Sequence, residues 1–400
     1  MNAKRWILWF YLVLFDGSLS LLLFATTRSL GESDVPQSIM GAVGGMFALG
    51  IGLGSLAAGW TSDRWGRLRV MSVGTALVLL SFVGCAVIGE LSLPYYLCYW
   101  LAATAAGAVY TPAYAMLSEG VHDSAGSKRV STPVLFFCLA WNLGLMGGQS
   151  TGGLLYLLGP IWPVYAAICG IVLELPLLVQ LLFTKPQQIG ADEAPVATVK
   201  DEQMPRAAAF ARIAWLSNLG SAFSMTMVLH LLPRLMAELD IAPDRHGLMM
   251  AVTRVLIITV YLVMFFSDHW KMRMRFALAS QVIAILGLVM IGMATGPWSL
   301  LAGLFCVAQL TGHNYYASLY YSTRGSGDER RGIASGLHEM TLAVGFCMGA
   351  FIGGTVGQVI SVQAPYFLAA TVVFTMFWMQ VAVYQSKVRT ATFAVRTPAV

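Results

Sequence analysis

Charge is what this chain has least of. Only 11% of its 400 residues are Asp, Glu, Lys or Arg, 58% are hydrophobic, and mean hydropathy is +0.71. A water-soluble domain carries roughly 25% charged residues. Folding in water cannot hide this much apolar surface, so a lipid bilayer is the expected solvent. Other absences narrow the reading further. Cys85, Cys98, Cys138, Cys169, Cys306 and Cys347 stand singly with no CxxC pair, so they are read as small core residues rather than metal ligands or disulfides. No basic tract interleaved with aromatics exists, which argues against a nucleic-acid partner. No GxxxxGK[ST] loop exists, which argues against an ATP-driven pump. His338-Glu339 begins an HExxH zinc pattern, but Leu342 stands where the second His belongs. No catalytic set, metal site or cofactor is expected, and the chain is read as a non-enzyme.

What is present is a series of long apolar runs. Spans of membrane-crossing length fall at about 6–26, 38–61, 70–90, 93–118, 131–158, 161–183, 208–233, 246–267, 274–294, 297–322, 332–359 and 364–386. The first is longer than a signal-peptide core, is interrupted by Asp16 and lacks a small-residue cleavage site, so it is read as a retained spanning helix. The segment 184–206, rich in Pro, Gln and charge, reads as a linker. The expected fold class is therefore an all-α membrane protein of twelve transmembrane helices. Its expected parts are an N-terminal six-helix bundle (1–183), a cytoplasmic linker (184–207), a C-terminal six-helix bundle (208–390) and a cytoplasmic tail (391–400). Of the 24 Lys and Arg residues, all but Arg28, Arg234, Arg245 and the intramembrane Arg254 fall on the side of the termini. The positive-inside rule then puts both termini and the linker in the cytoplasm.

The two halves repeat. Ser62-Asp63-x-Trp65 returns as Ser267-Asp268-x-Trp270, and Arg28, Glu32 and Asp34 return as Arg234, Glu238 and Asp240. Gly144, Gly148, Gly152 and Gly153 return as Gly345, Gly349, Gly353 and Gly354. Three sets in order at a near-constant offset of about 205 residues indicate a duplication, and parallel repeats of six spans imply a pseudo-twofold axis along the membrane normal.

The loop "GSLAAGWTSDRWGRLRV" resembles the signature between the second and third helices of the major facilitator superfamily, with Gly59, Asp63, Arg64, Gly66 and Arg67 in place. The resemblance implies two bundles around a midplane cavity lined chiefly by helices 1, 4, 7 and 10. It also implies a cytoplasmic latch, in which Asp63 ends helix 2 and docks on the start of helix 11 near Gly332, while Arg67 pairs with Glu119. A carboxylate is favoured at the unpaired N–H groups of a helix N-terminus. In the second copy Asp268 remains, but His269, Lys271 and Met272 replace Arg, Gly and Arg. Helix 5, "NLGLMGGQSTGGLL", resembles in part the GxxxGPxxGG element of the drug:proton antiporter branch, with Gln149 in place of Pro. Close packing through small residues explains both glycine copies equally well.

Ionisable groups within spans are costly and are candidates for function. Asp16 lies near mid-depth of helix 1, with no Lys or Arg nearby on that helix, and is the leading proton-coupling candidate. Glu174, just before Leu175-Pro176 of helix 6, is the second, with a packing or kink role as its competitor. Arg254 meets either a substrate carboxylate or a structural acid, and His230 is expected to reach water at the outer end of helix 7. His313, Tyr316 and Tyr320 share one face of helix 10, and Tyr110 and Tyr114 one face of helix 4. With Asn142 and Gln149 they form the expected walls of a site for a small organic solute, unless the tyrosines are a packing stripe. The function expected from all this is secondary active transport across an inner membrane by a monomer, with protons as coupling ion and efflux as direction. Proton-coupled uptake, or a transport-inactive sensor or scaffold of the same fold, stays open.

Overall fold

The computed structural model describes residues 3–118, 127–184, 204–324 and 331–389. Six helices precede the central segment: α1 (Ala3–Glu32), α2 (Gln37–Trp65), α3 (Arg67–Ile88), α4 (Leu93–Ser118), α5 (Ser127–Tyr156) and α6 (Trp162–Phe183). Six follow it. Helix α7 is composite, made of Met204–Thr226, a π-helical stretch Met227–Leu231 and Leu232–Glu238. Then come α8 (Pro243–Phe266), α9 (Met274–Gly292), α10 (Pro297–Arg324), α11 (Arg331–Val359) and α12 (Ala364–Val383). Even α9, with 19 residues, reaches about 28 Å at 1.5 Å per residue, close to the hydrocarbon thickness of a bilayer.

Among the described residues, nine helices are long and apolar enough to cross a membrane by length and composition. The remaining three of the twelve are α4, α7 and α10. Polar side chains such as Gln309, Thr311, Asn314 and Ser318 dilute the hydropathy of α10, as expected of a helix that faces protein rather than lipid. Of these nine, α1 is the most buried, with 67% of its apolar window inside, whereas α6 and α12 are peripheral at 28%.

The repeated glycines explain how the bundles are knit. On α5, Gly144, Gly148 and Gly152 face α1: a methyl group at Gly144 would sit 2.4 Å from the Asp16 Cβ, and one at Gly148 2.4 Å from the Gly17 carbonyl oxygen. On α11, Gly345, Gly349 and Gly353 face α7 in the same way, against Leu219, Phe223 and Met227. The fourth glycine of each set turns to the other bundle. Gly153 lies on Gly247 of α8, and Gly354 lies on Gly41 of α2. Both crossings occur near the face opposite the termini, and small-xxx-small spacing is what permits backbones this close.

Gly66, at φ +92°, makes the break between α2 and α3, a conformation in which a Cβ would be strained. Helix α2 continues to Trp65, so Asp63 sits inside its last turn rather than ending it.

Candidate transport site

The N-terminal bundle holds a buried acid in its middle. Asp16 of α1 is 2% exposed and accepts a 2.6 Å hydrogen bond from the Tyr110 hydroxyl of α4. Tyr110 also packs edge-on against Phe15 at 5.6 Å. Asp16 has no cationic partner among the described residues. Glu174 of α6 is fully buried against α1, and neither of its carboxyl oxygens has a hydrogen-bond partner. Tyr114 packs on Phe137 of α5, at 5.1 Å.

On the other flank of α5 the bundles meet. Asn142 is buried and faces α8, where its amide Nδ2 donates to the Cys138 carbonyl at 3.0 Å and to the Tyr261 hydroxyl at 3.4 Å. Its Oδ1 accepts from Arg254 Nη1 at 3.4 Å. Gln149 lies buried on the same seam, its carbonyl oxygen against Gly247. Helix α5 thus touches Asp16 through Gly144 on one side and Arg254 through Asn142 on the other.

The α10 stripe is brought together differently from the tyrosines of α4. His313, Tyr316 and Tyr320 all pack on Trp270, with ring centroids 6.4, 6.0 and 5.2 Å away. Trp270 comes from the α8–α9 loop, is 5% exposed, and donates to the Met264 carbonyl at 2.7 Å, while its repeat partner Trp65 is 65% exposed. Only Tyr316 reaches across, donating to the Ser131 carbonyl of α5 at 3.4 Å. Asp268, beside Trp270, pairs with Lys271. His230 does not reach water. It is buried in the π-helical part of α7, its ring against Gly44 of α2.

Residues outside the expected cavity walls also converge here. His338 of α11 is fully buried and shares a 2.7 Å hydrogen bond with Ser318 of α10. Tyr315 meets His338 edge-on at 5.2 Å and packs at a tilt on Trp141 of α5 at 5.0 Å. The Glu339 side chain, 42% exposed, sits 3.8 Å from the His338 Nε2. The sequence signal is an acid and a base inside an apolar span, which the broken zinc pattern does not account for.

Toward the face opposite the termini, the repeat sets Arg28–Glu32 and Arg234–Glu238 form a reciprocal clasp. Arg28 pairs with Glu32 at 2.7 Å and donates to the Ile241 carbonyl, past the end of α7, at 2.9 Å. Arg234 of α7 donates to the carbonyls of Gly31 and Ser33 at the end of α1. Both arginines, with Glu32, Asp34, Glu238 and Asp240, line a polar cleft of about 550 Å³.

A family profile described as Major Facilitator Superfamily matches residues 6–206 and 214–398, nearly the whole chain and both halves. The chain belongs to the Major Facilitator Superfamily. It is therefore a multi-pass membrane protein and a secondary transporter of a small molecule. The solved structure of the human organic anion transporter MFSD10 (TETRAN) is similar to this Major Facilitator chain in fold, with TM-score 0.69 and 15% identity over 95% of this chain and 100% of that one. No curated protein matches it in sequence. The signature loop of the superfamily lies at the end of α2. Gly59 packs near Thr111 of α4, Asp63, Arg64 and Gly66 are exposed, and the Arg64 guanidinium lies 3.8 Å over the Trp60 ring. Arg67 opens α3, and Glu119, its expected partner, lies outside the described residues.

Proposed function

We propose that this transporter exports a small organic solute across an inner membrane by alternating access, driven by protons that bind at Asp16. One observation carries the coupling: a carboxyl group buried at mid-depth of a largely buried helix, held by a single tyrosine hydroxyl and matched by no cation among the described residues. Such a group can exchange a proton when the bundles rearrange and its solvation changes. Glu174, buried where α6 packs on α1, is the reserve site. The halves 1–183 and 208–390 move as the two bodies. The test is solute accumulation under an imposed proton gradient, compared between the parent and Asp16→Asn. Inside-out vesicles should accumulate and right-side-out vesicles should not; the reverse sidedness would replace efflux with uptake.

Orientation follows from the Lys and Arg distribution. In a cysteine-free background, a single cysteine at position 197 should react with an impermeant thiol reagent only from the cytoplasm, and one at position 33 only from outside. Labelling of both from one face would reject the twelve-span arrangement.

The cytoplasmic latch is expected to close when Asp63 docks on the N-terminal end of α11 and Arg67 meets Glu119. Asp63→Asn should lower the cytoplasm-closed population about two- to fivefold, the worth of one charge at a helix end. Transport should slow while solute binding in detergent survives. Parental transport together with parental cytoplasmic accessibility would rule the latch out.

A further inference from the structure

We infer that Arg254 is the binding group for a carboxylate on the transported solute, and that the solute is an aromatic monocarboxylic acid. The inference rests on the reading of the chain as a solute transporter and names the substrate class of its site. Arg254 lies at the middle of α8, is 1% exposed, and is the largest fully buried side chain among the described residues. Among the described residues no acid pairs with it, and its one hydrogen bond, to Asn142, is long at 3.4 Å. Its Nε and Nη2 have no hydrogen-bond partner among the described residues. Those two N–H groups point the same way along one edge of the guanidinium, the edge that grips the two oxygens of a carboxylate. Arg28 of the same chain shows what a structural arginine does: only 4% exposed, it holds Glu32 and a main-chain carbonyl at 2.7 and 2.9 Å.

A buried charge without a counter-charge is strongly disfavoured, so a ligand that supplies one is bound at the expense of that penalty. One guanidinium with no second cation beside it among the described residues suits a monoanion rather than a phosphate. The surroundings supply the rest of the class. Tyr261 lies two turns along the same face of α8, 5.7 Å from Tyr316, and Asn142 adjoins Trp141, which packs on Tyr315. Aromatic side chains with polar tips receive a ring that ends in a polar group. The position is also right for transport. Arg254 and Asn142 belong to opposite bundles, so the movement that parts α5 from α8 uncovers the guanidinium.

Thermal unfolding of the purified full-length protein in detergent tests this with matched pairs of probes: benzoate, phenylacetate and indole-3-acetate, each against its neutral amide. At least one acid should raise the unfolding midpoint, since a ligand of the folded form alone stabilises it, and its amide should not. Arg254→Gln should weaken binding of that acid by about 30-fold or more, and Arg254→Lys, which keeps the charge but loses the fork, should fall between. If Arg254→Gln does not fold, the acid–amide comparison on the parent and the Arg254→Lys affinity decide. No stabilisation of the parent by any of the acids, equal stabilisation by the amide, or parental affinity in the variants would each overturn the inference. No gradient exists in detergent, so these outcomes are independent of proton coupling. Acid binding with failed gradient-driven accumulation would sink the coupling at Asp16 and leave the anion site standing.

Discussion

Asp16→Asn, reconstituted in proteoliposomes, should exchange labelled for unlabelled solute at the parental rate and yet fail to concentrate solute when a proton gradient is imposed. Exchange needs only that the loaded carrier reorients. Accumulation needs a group that carries a proton on one leg of the cycle and not on the other. Asparagine keeps the shape of the carboxyl and can accept from Tyr110 as Asp16 does at 2.6 Å, but it does not titrate. A gradient of one pH unit is worth about 1.4 kcal/mol per proton, or about tenfold in solute concentration. The parent should approach that ratio for each coupled proton, and the variant should stay near unity. If Asp16→Asn concentrates solute as the parent does, Asp16 is not the coupling group, and Glu174→Gln becomes the variant to measure.

A leucine at Gly41 should abolish transport by a different route. Even a methyl group there would lie 2.3 Å from the Ala350 carbonyl oxygen and 2.8 Å from the Gly354 Cα. These are main-chain atoms that cannot swing aside. Overpacking of this kind costs about 1–3 kcal/mol, which would reduce the closed population of this face by roughly 5- to 150-fold. Spin labels at positions 36 and 360 should report a longer and broader distance in Gly41→Leu than in the parent. Gly247→Leu should act alike across the second seam, where the Gln149 carbonyl oxygen lies 2.4 Å from a Cβ. Gly147→Leu is the control, because nothing stands within 4 Å of a Cβ there. An unchanged distance distribution with parental transport in Gly41→Leu would mean that the seam is not a closing surface.

The helices were legible because a bilayer demands long apolar runs and because loops interrupt them with charge. The duplication was legible too, since its marks recur in order. Contacts were harder to read, for physical reasons that particular residues show. Periodicity places His313, Tyr316 and Tyr320 on one face of α10, but it does not say what that face meets, and a tryptophan from a loop meets it. Trp65 and Trp270 occupy equivalent repeat positions, yet one is exposed and the other buried, because the second loop folds back and ties Trp270 to the Met264 carbonyl and the tyrosines of α10. His230 was expected at a wet helix end. The π-helical turn of α7 shifts the register there and presses the ring onto Gly44. The partners of Arg254 were open in the sequence because a buried pair and an unmatched charge read identically along a chain.

The clasp on the face opposite the termini has acceptors that no side-chain substitution can remove, for Arg28 and Arg234 both end on main-chain carbonyls of the opposite bundle. A pair of opposite charges tolerates sliding, since attraction falls off gradually with distance. A hydrogen bond to a carbonyl does not. One residue of axial slip, about 1.5 Å, is enough to break it. The two arginines therefore act as a vernier: they engage when the tips of α1 and α7 stand level with one another and let go when either helix is displaced along its axis.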